Sequence, residues 1–262
     1  MIIAFRHGYF ELNKRSRLSG EAALQKMEKA IPPDADAIMD LLPEGHEQAE
    51  HVRRALAEFS VYACLHSPAL RARTMAKLVL AGRTLPGGIH MVPGLRERSR
   101  GIFSYAPDDW SEKQPGYPAR KSVLDWMPAG VDYNGNPGES IRMVRDTRVA
   151  PVLRFADQAT PPGKTTALSG HAEWMLALRA YYLGFDDERF RQPLVPSPPE
   201  NNRALATAKM IVHGQVDLYD CTCPTAVPAG SEQRHMDVFR TIIAAPEPET
   251  GIDTGWLDIQ SM

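Results

Sequence analysis

Two spacings of apolar residues alternate along this chain. Short unbroken apolar runs, the mark of a strand buried on both faces, occur at Ile2 to Phe5, Val61 to Leu65 and Thr165 to Ser169. Between them, apolar residues three and four apart mark one face of a helix. Gly45 to Ser60 carries Ala49, Val52, Leu56 and Phe59 on one side. Pro68 to Ala81 reads as a second helix, with the proline in the first turn, where a missing N–H is tolerated. Ser140 to Ala156 is helical by spacing, and Ala172 to Leu183 is an apolar helix closed by Gly184. Met210 to His213, Val216 to Tyr219 and Val238 to Ala244 read as later strands. Strands alternating with helices predict an α/β fold, a three-layer α/β/α sandwich around a largely parallel central sheet.

Residues 102–138 break this rhythm, with five prolines, four glycines and six aromatics. A plain connection is shorter, so this stretch reads either as a functional insertion or lid, or as an ordered loop whose aromatics cover the core. Gln192 to Glu200 is Pro-rich and reads as an extended crossover. The tail after Pro246 is acidic and polar, with Trp256 expected to dock it. The 262 residues fit a single domain spanning 1–262, with 102–138 as an insertion in it.

Composition narrows the class. Hydrophobic residues at 43% and charged residues at 24% exclude a disordered or collagen-like chain. A formal charge of −2 argues against bulk nucleic-acid binding and against a polybasic membrane anchor. No apolar stretch approaches the ~20 residues of a membrane span, and the residues before Arg6 are too few for a signal-peptide core. Three cysteines make no disulfide framework, so a cytoplasmic location is expected. Cys221 and Cys223, flanked by His213 and His235, lack the paired spacing of a zinc site, so neither metal nor cofactor is expected. Pro162 to Thr166 looks like the end of a phosphate-binding loop, but Gln158 stands where that motif needs glycine. A helix precedes it and a strand follows, the reverse of the required order, so it reads as a turn.

The sharpest chemical signal is Arg6-His7-Gly8, directly after the first strand. Ligands bind at strand ends in open α/β sheets. Arginine offers a planar fork for phosphate oxygens, a neutral imidazole can attack phosphorus, and glycine lets a bound group come close. Further elements follow in order. Asn13 precedes Arg17-Leu18-Ser19-Gly20, and Gly45 to Ala49 holds Gln48 in G-x-x-Q-A spacing. Ser67-Pro68 leads to Arg71-Ala72 and Ala76, then come Leu95-Arg96-Glu97 with Gly101, Gly138-Glu139-Ser140, and Ser169-Gly170-His171.

In this order the elements resemble the histidine phosphatase superfamily, also called phosphoglycerate mutase-like. The resemblance implies that fold, and phosphomonoester hydrolysis through a phosphohistidine on His7. It implies that Arg6, Arg71 and a protonated His171 surround the phosphoryl group and that Glu97 protonates the leaving oxygen. Asn13, Ser19, Gly20 and the backbone of Ala172 are implied substrate contacts. Tyr9 and Phe10 replace the family's usual Glu-Ser and are expected at the pocket rim. Glu173 is an alternative acid. Arg98 and Arg100 read as solvated charges or as sites for a second anion. The expected partner is a small phosphorylated substrate, with no nucleic acid or membrane; the oligomeric state is not readable. The alternatives are a cofactor-dependent phosphoglycerate mutase and a non-catalytic phosphate-recognising module. Arg100 stands where mutases usually carry tyrosine, and Glu97 lies 42 positions from Glu139, closer to the phosphatase spacing.

Overall fold

In the computed structural model the described residues are 1–16, 31–32, 34–106, 110–111, 113–115, 117, 124–183, 215–219, 239–243 and 255–258. Seven strands form one sheet: β1 (Ile2–Arg6), β2 (Val61–His66), β3 (Gly88–Met91), β4 (Thr165–Gly170), β5 (Gln215–Tyr219), β6 (Phe239–Ile243) and β7 (Gly255–Asp258). The described helices are α1 (Glu11–Ser16), α2 (Ala35–Ile38), α3 (Pro43–Ala55), α4 (Leu70–Val79), α5 (Ile141–Val144), α6 (Ala150–Ala159) and α7 (Ala172–Leu183). The sheet order is β3-β2-β4-β1-β5-β6-β7. The first four strands run parallel, and β5, β6 and β7 extend the sheet antiparallel beyond β1. The expected parallel sheet is therefore its first four strands. The tail also contributes, because Trp256 lies within β7, opposite Ile242.

Side chains on a strand alternate between faces, and β1 shows why both faces need helices. Ile2 and Ala4 join Leu65 and Leu168 in a core completed by α5, α6 and α7. Ile3 and Phe5 point the other way, into a core with Cys64, Ala167, α3 and α4. Ile3 and Phe5 are fully buried, each worth roughly 1.5–3 kcal/mol of burial. Burial pushes the Cys64 thiol up to about 12, so it is a packing residue and not a nucleophile.

Boundaries shift from the sequence reading where packing decides them. The second helix begins at Leu70, after Pro68, and ends at Val79. The stretch read as one helix from Ser140 is helical from Ile141 to Ala159 but holds a π turn at Arg145–Val149, just before Pro151. Proline lacks the N–H that a regular turn needs, and the wider turn accommodates it. β3 escapes a hydrophobicity reading because it is a short edge strand with exposed Ile89 and Met91. Gly163, in the looser phosphate-loop match, sits at φ +75° in a turn where Lys164 N–H donates to the Pro161 carbonyl. Met210 to His213, Gln192 to Glu200, Cys221 and Cys223 lie outside the described residues.

Candidate active site

Strand register assembles the site. Arg6 pairs with Gly170 across β1 and β4, His7 N–H donates to the Gly170 carbonyl, and Ser67 N–H donates to the Ser169 carbonyl. The residues following three adjacent parallel strands, His7, Ser67 and His171, thus meet at their carboxyl ends. The His7 and His171 rings lie 5.0 Å apart between centroids.

His7 is almost fully buried, and its Nδ1 sits 2.7 Å from the Gly8 carbonyl. A carbonyl only accepts, so Nδ1 carries the proton and, in the neutral ring, Nε2 is the nitrogen with the lone pair. Gly8 is needed for a different reason than expected. A Cβ there would stand 2.6 Å from the Gly45 carbonyl oxygen, and one on Gly45 would stand 2.3 Å from the Tyr9 oxygen. The loop after β1 thus lies directly against the start of α3. Gln48 Oε1 accepts the Tyr9 N–H at 2.8 Å. The G-x-x-Q-A element therefore holds the loop that carries the nucleophile candidate.

Phe10 is not at a rim. It is fully buried, with its ring 5.2 Å from that of His7 and the Arg71 guanidinium 4.3 Å above it. Arg71 is also fully buried. Its Nη1 donates to Asp36 at 2.6 Å, and its Nη2 donates to the Tyr105 hydroxyl at 3.1 Å and toward His171 Nδ1 at 3.5 Å. The buried Nε of Arg71 has no hydrogen-bond partner, leaving a donor for an anionic ligand. Ser67 Oγ lies 2.7 Å from His171 Nε2 and accepts the Ala69 N–H, which orients the ring.

Burial and the charges of Arg71, Arg6 and Arg148 hold His171 well below the usual histidine value. The resemblance implied a protonated ring; among these cations alone it is neutral. A dianion placed between them reverses that balance.

The two candidate acids separate by environment. Glu97 Oε1 accepts the Arg98 and Trp174 N–H groups, at 2.9 and 3.3 Å. Burial and the nearby Glu173 carboxylate raise its pKa above the usual range. Glu173 is clamped by Arg98 through two 2.9 Å hydrogen bonds. Burial opposes its charge, but Arg98 and Arg100 outweigh that and lower its pKa. Of the two, Glu97 is thus the carboxyl that keeps its proton to higher pH, and Glu173 the one that gives it up first. Arg98 is buried and paired, neither a solvated charge nor open to a second anion.

The G-E-S element explains how Glu97 is placed. Glu139 takes both Arg96 guanidinium nitrogens at 2.9 and 2.8 Å, and also Arg148 and the Ser99 N–H. Ser140 caps α5 by accepting the Met143 N–H at 3.0 Å. The loop carrying Glu97 is therefore pinned on either side.

Arg6 lies close enough for its charge to bear on His171 and Glu97. His7, Arg6, Arg71, His171 and Glu97 therefore come together as expected. Asn13 is buried on α1, its N–H donating to the Phe10 carbonyl, and Ala172 opens α7. Ser19 and Gly20 lie outside the described residues. The sequence reading passed over Asp36 and the orienting role of Ser67. Ser67 stood inside a quoted motif; Asp36 had no local signal. The aromatics of 102–138 divide as well. Phe103, Tyr117 and Trp126 bury one another, with Trp110 against them, whereas Tyr105 reaches Arg71.

The histidine phosphatase superfamily (branch 1) profile matches residues 2–199. The chain belongs to this superfamily. Its fold is shared with a mycobacterial glucosyl-3-phosphoglycerate phosphatase, at TM-score 0.57 and 17% identity, over 92% of this chain and 90% of that one. It is similar to Bacillus stearothermophilus YhfR, at TM-score 0.56 and 18% identity, over 84% and 91%. It also resembles the Shigella flexneri alpha-ribazole phosphatase, at TM-score 0.50 and 24% identity, over 71% and 81%. No curated protein matches the sequence. Among the described residues no helix is long and apolar enough to cross a membrane, and no cluster of metal-ligating side chains occurs.

Proposed function

We propose that this member of the histidine phosphatase superfamily is a phosphomonoester hydrolase acting through a phosphohistidine on His7. The observation that carries the reading is the His7 ring. Its Nδ1–H is committed to the Gly8 carbonyl, and its neighbours are His171 and a cationic wall. Nε2 attacks phosphorus, and the bond to the leaving oxygen breaks as that oxygen takes the Glu97 proton. Glu97, now a carboxylate, takes a proton from water as the water attacks the phosphohistidine; the P–N bond breaks and inorganic phosphate leaves. Arg6, Arg71 and a His171 protonated by the dianion's field balance the equatorial oxygens. Asn13, Ser19, Gly20 and the Ala172 N–H complete the substrate contacts.

The similar phosphatases named above support hydrolysis, as does Glu97, a carboxyl whose pKa burial and Glu173 raise, an acid that a purely phosphate-binding module does not need. The cations give the phosphoryl group the charge neutralisation that a divalent ion supplies elsewhere, so the reaction is proposed to be metal-independent. Residues 1–262 are read as one domain, and the free buried Cys64 fits a reducing cytoplasm. The test is turnover of p-nitrophenyl phosphate in excess EDTA, with rapid quench of labelled substrate. Acid-labile, base-stable label that is absent in His7→Ala is expected. Base-labile label, or turnover that needs added zinc or magnesium, refutes the reading.

A further inference from the structure

Beyond Glu97 and Tyr105 the site opens into a solvent-open cleft, lined further by Asp36, Ser104, Asp132, Tyr133, Asn134 and Asn136. Its walls join two stretches almost a hundred residues apart in sequence. Asp36 accepts from the Tyr133 hydroxyl at 2.9 Å and from Asn134 Nδ2 at 3.1 Å, while also holding Arg71. The cleft is thereby attached to the guanidinium that faces the phosphoryl group.

Its charges are already engaged. The two arginines in the lining are each held by a carboxylate, Arg96 by Glu139 and Arg98 by Glu173. Asp132 is held by the N–H groups of Asn134 and Asn136 and by the Asn136 amide, with no cation in that set. What remains for a ligand among the described residues is neutral: the hydroxyls of Tyr105, Tyr133 and Ser104 and the amides of Asn134 and Asn136. Burial pushes the Tyr105 phenol up to about 12, so it stays an O–H. A second anion entering here would face Asp36 and Asp132, and the two arginines in the described lining already each hold a carboxylate, so it would enter at a desolvation cost. A group that both donates and accepts would match the alternating hydroxyls and amides.

We infer that this cleft receives an uncharged, polyhydroxylated leaving group, that of a sugar or polyol monophosphate, and disfavours leaving groups that carry a further negative charge. The inference rests on the hydrolase reading above and adds the substrate class to it.

The experiment compares kcat/KM for glucose 6-phosphate and glycerol 1-phosphate with that for 3-phosphoglycerate and fructose 1,6-bisphosphate, each relative to p-nitrophenyl phosphate. The neutral polyol esters should exceed the charged ones by about tenfold or more, the scale set by leaving one polar group or one charge unsatisfied. In the exposed Asn134→Lys variant the ratio of polyol to anionic esters should invert or fall by about tenfold, because a cation then faces the incoming anion. Asn134→Ala should cost the sugar ester several-fold more than the aryl ester. Turnover of p-nitrophenyl phosphate with preference for 3-phosphoglycerate or fructose 1,6-bisphosphate overturns the cleft inference and leaves the hydrolase reading standing. A substrate ratio that Asn134→Lys does not move overturns it equally. Absence of turnover on every ester, with no label on His7, overturns both.

Discussion

The strand-end cradle and the outer cleft differ in how they are built. His7, Ser67, Arg71 and His171 are almost fully buried and follow strands or sit on α4, each fixed by a backbone or side-chain partner. The cleft is lined instead largely by residues at intermediate or full exposure, from the four-residue α2 and from loops. In the proposed reaction the phosphoryl group is the same in every monoester, which suits a cradle built on rigid elements. A leaving group varies between substrates, and short exposed loops can change without disturbing the sheet. Asp36 is the junction, since it touches Arg71 on one side and Tyr133 with Asn134 on the other.

Substitutions can break this division at either side. The largest loss is expected for His7→Ala, roughly 10⁴-fold or more in turnover, as when a nucleophile is removed elsewhere, on alkyl and aryl esters alike. Glu97→Gln should slow phosphohistidine formation about 10² to 10⁴-fold on alkyl phosphates and much less on p-nitrophenyl phosphate, whose leaving anion is weakly basic. Single-turnover bursts separate this from slower hydrolysis of the intermediate. An equal loss on both substrates would remove Glu97 from the acid's role. The same variant should melt higher at neutral pH. Glu97 keeps its proton in the folded state above the pH at which the unfolded chain releases it, so the wild type loses stability as pH rises above about 4.5.

Trp126→Ala tests whether 102–138 is a mobile lid or a satellite core. Trp126 is buried against Phe103 and Tyr117, which predicts a stability loss of about 3–5 kcal/mol by urea denaturation. A stable variant with altered substrate ratios would instead favour the lid. Ser67→Ala removes one orienting partner of His171 and should lower kcat about five- to tenfold with little change in KM. A larger change in KM than in kcat would reassign Ser67 to ground-state binding.

The smallest effect is on pH dependence. His171 is held neutral in the folded chain, whereas the unfolded chain takes up a proton as pH falls below about 6.5. Stability should therefore decline below that pH, and His171→Asn should flatten the decline. Vanadate or phosphate binding should take up a proton near neutral pH, read by calorimetry in buffers of different ionisation enthalpy.

The core strands and the residues at their carboxyl ends were legible in the sequence because their signals are local. Ile2 to Phe5 is a run buried on both faces whatever else the chain does, and Arg6-His7-Gly8 follows it at the end where α/β sheets bind ligands. The spacing of Ser67, Arg71 and His171 placed them at the neighbouring strand ends. β3 was illegible because an exposed edge strand carries no apolar run, and the mixed sheet because pairing direction leaves no trace in composition.

Which carboxyl holds the proton was decided only in three dimensions. Glu97 and Glu173 look equally suitable along the chain. Arg98 reaches across 75 positions to clamp Glu173, and Glu173 in turn raises Glu97. The same holds for Phe10, read at the rim and found beneath Arg71, and for Gly8, whose constraint is the backbone of Gly45. Sequence by itself determined which groups can do phosphoryl chemistry and the strand ends that present them, because periodicity and motif order act over a few residues. Tertiary structure decided protonation, pairing and access, because charge and burial act through space between residues the chain keeps far apart.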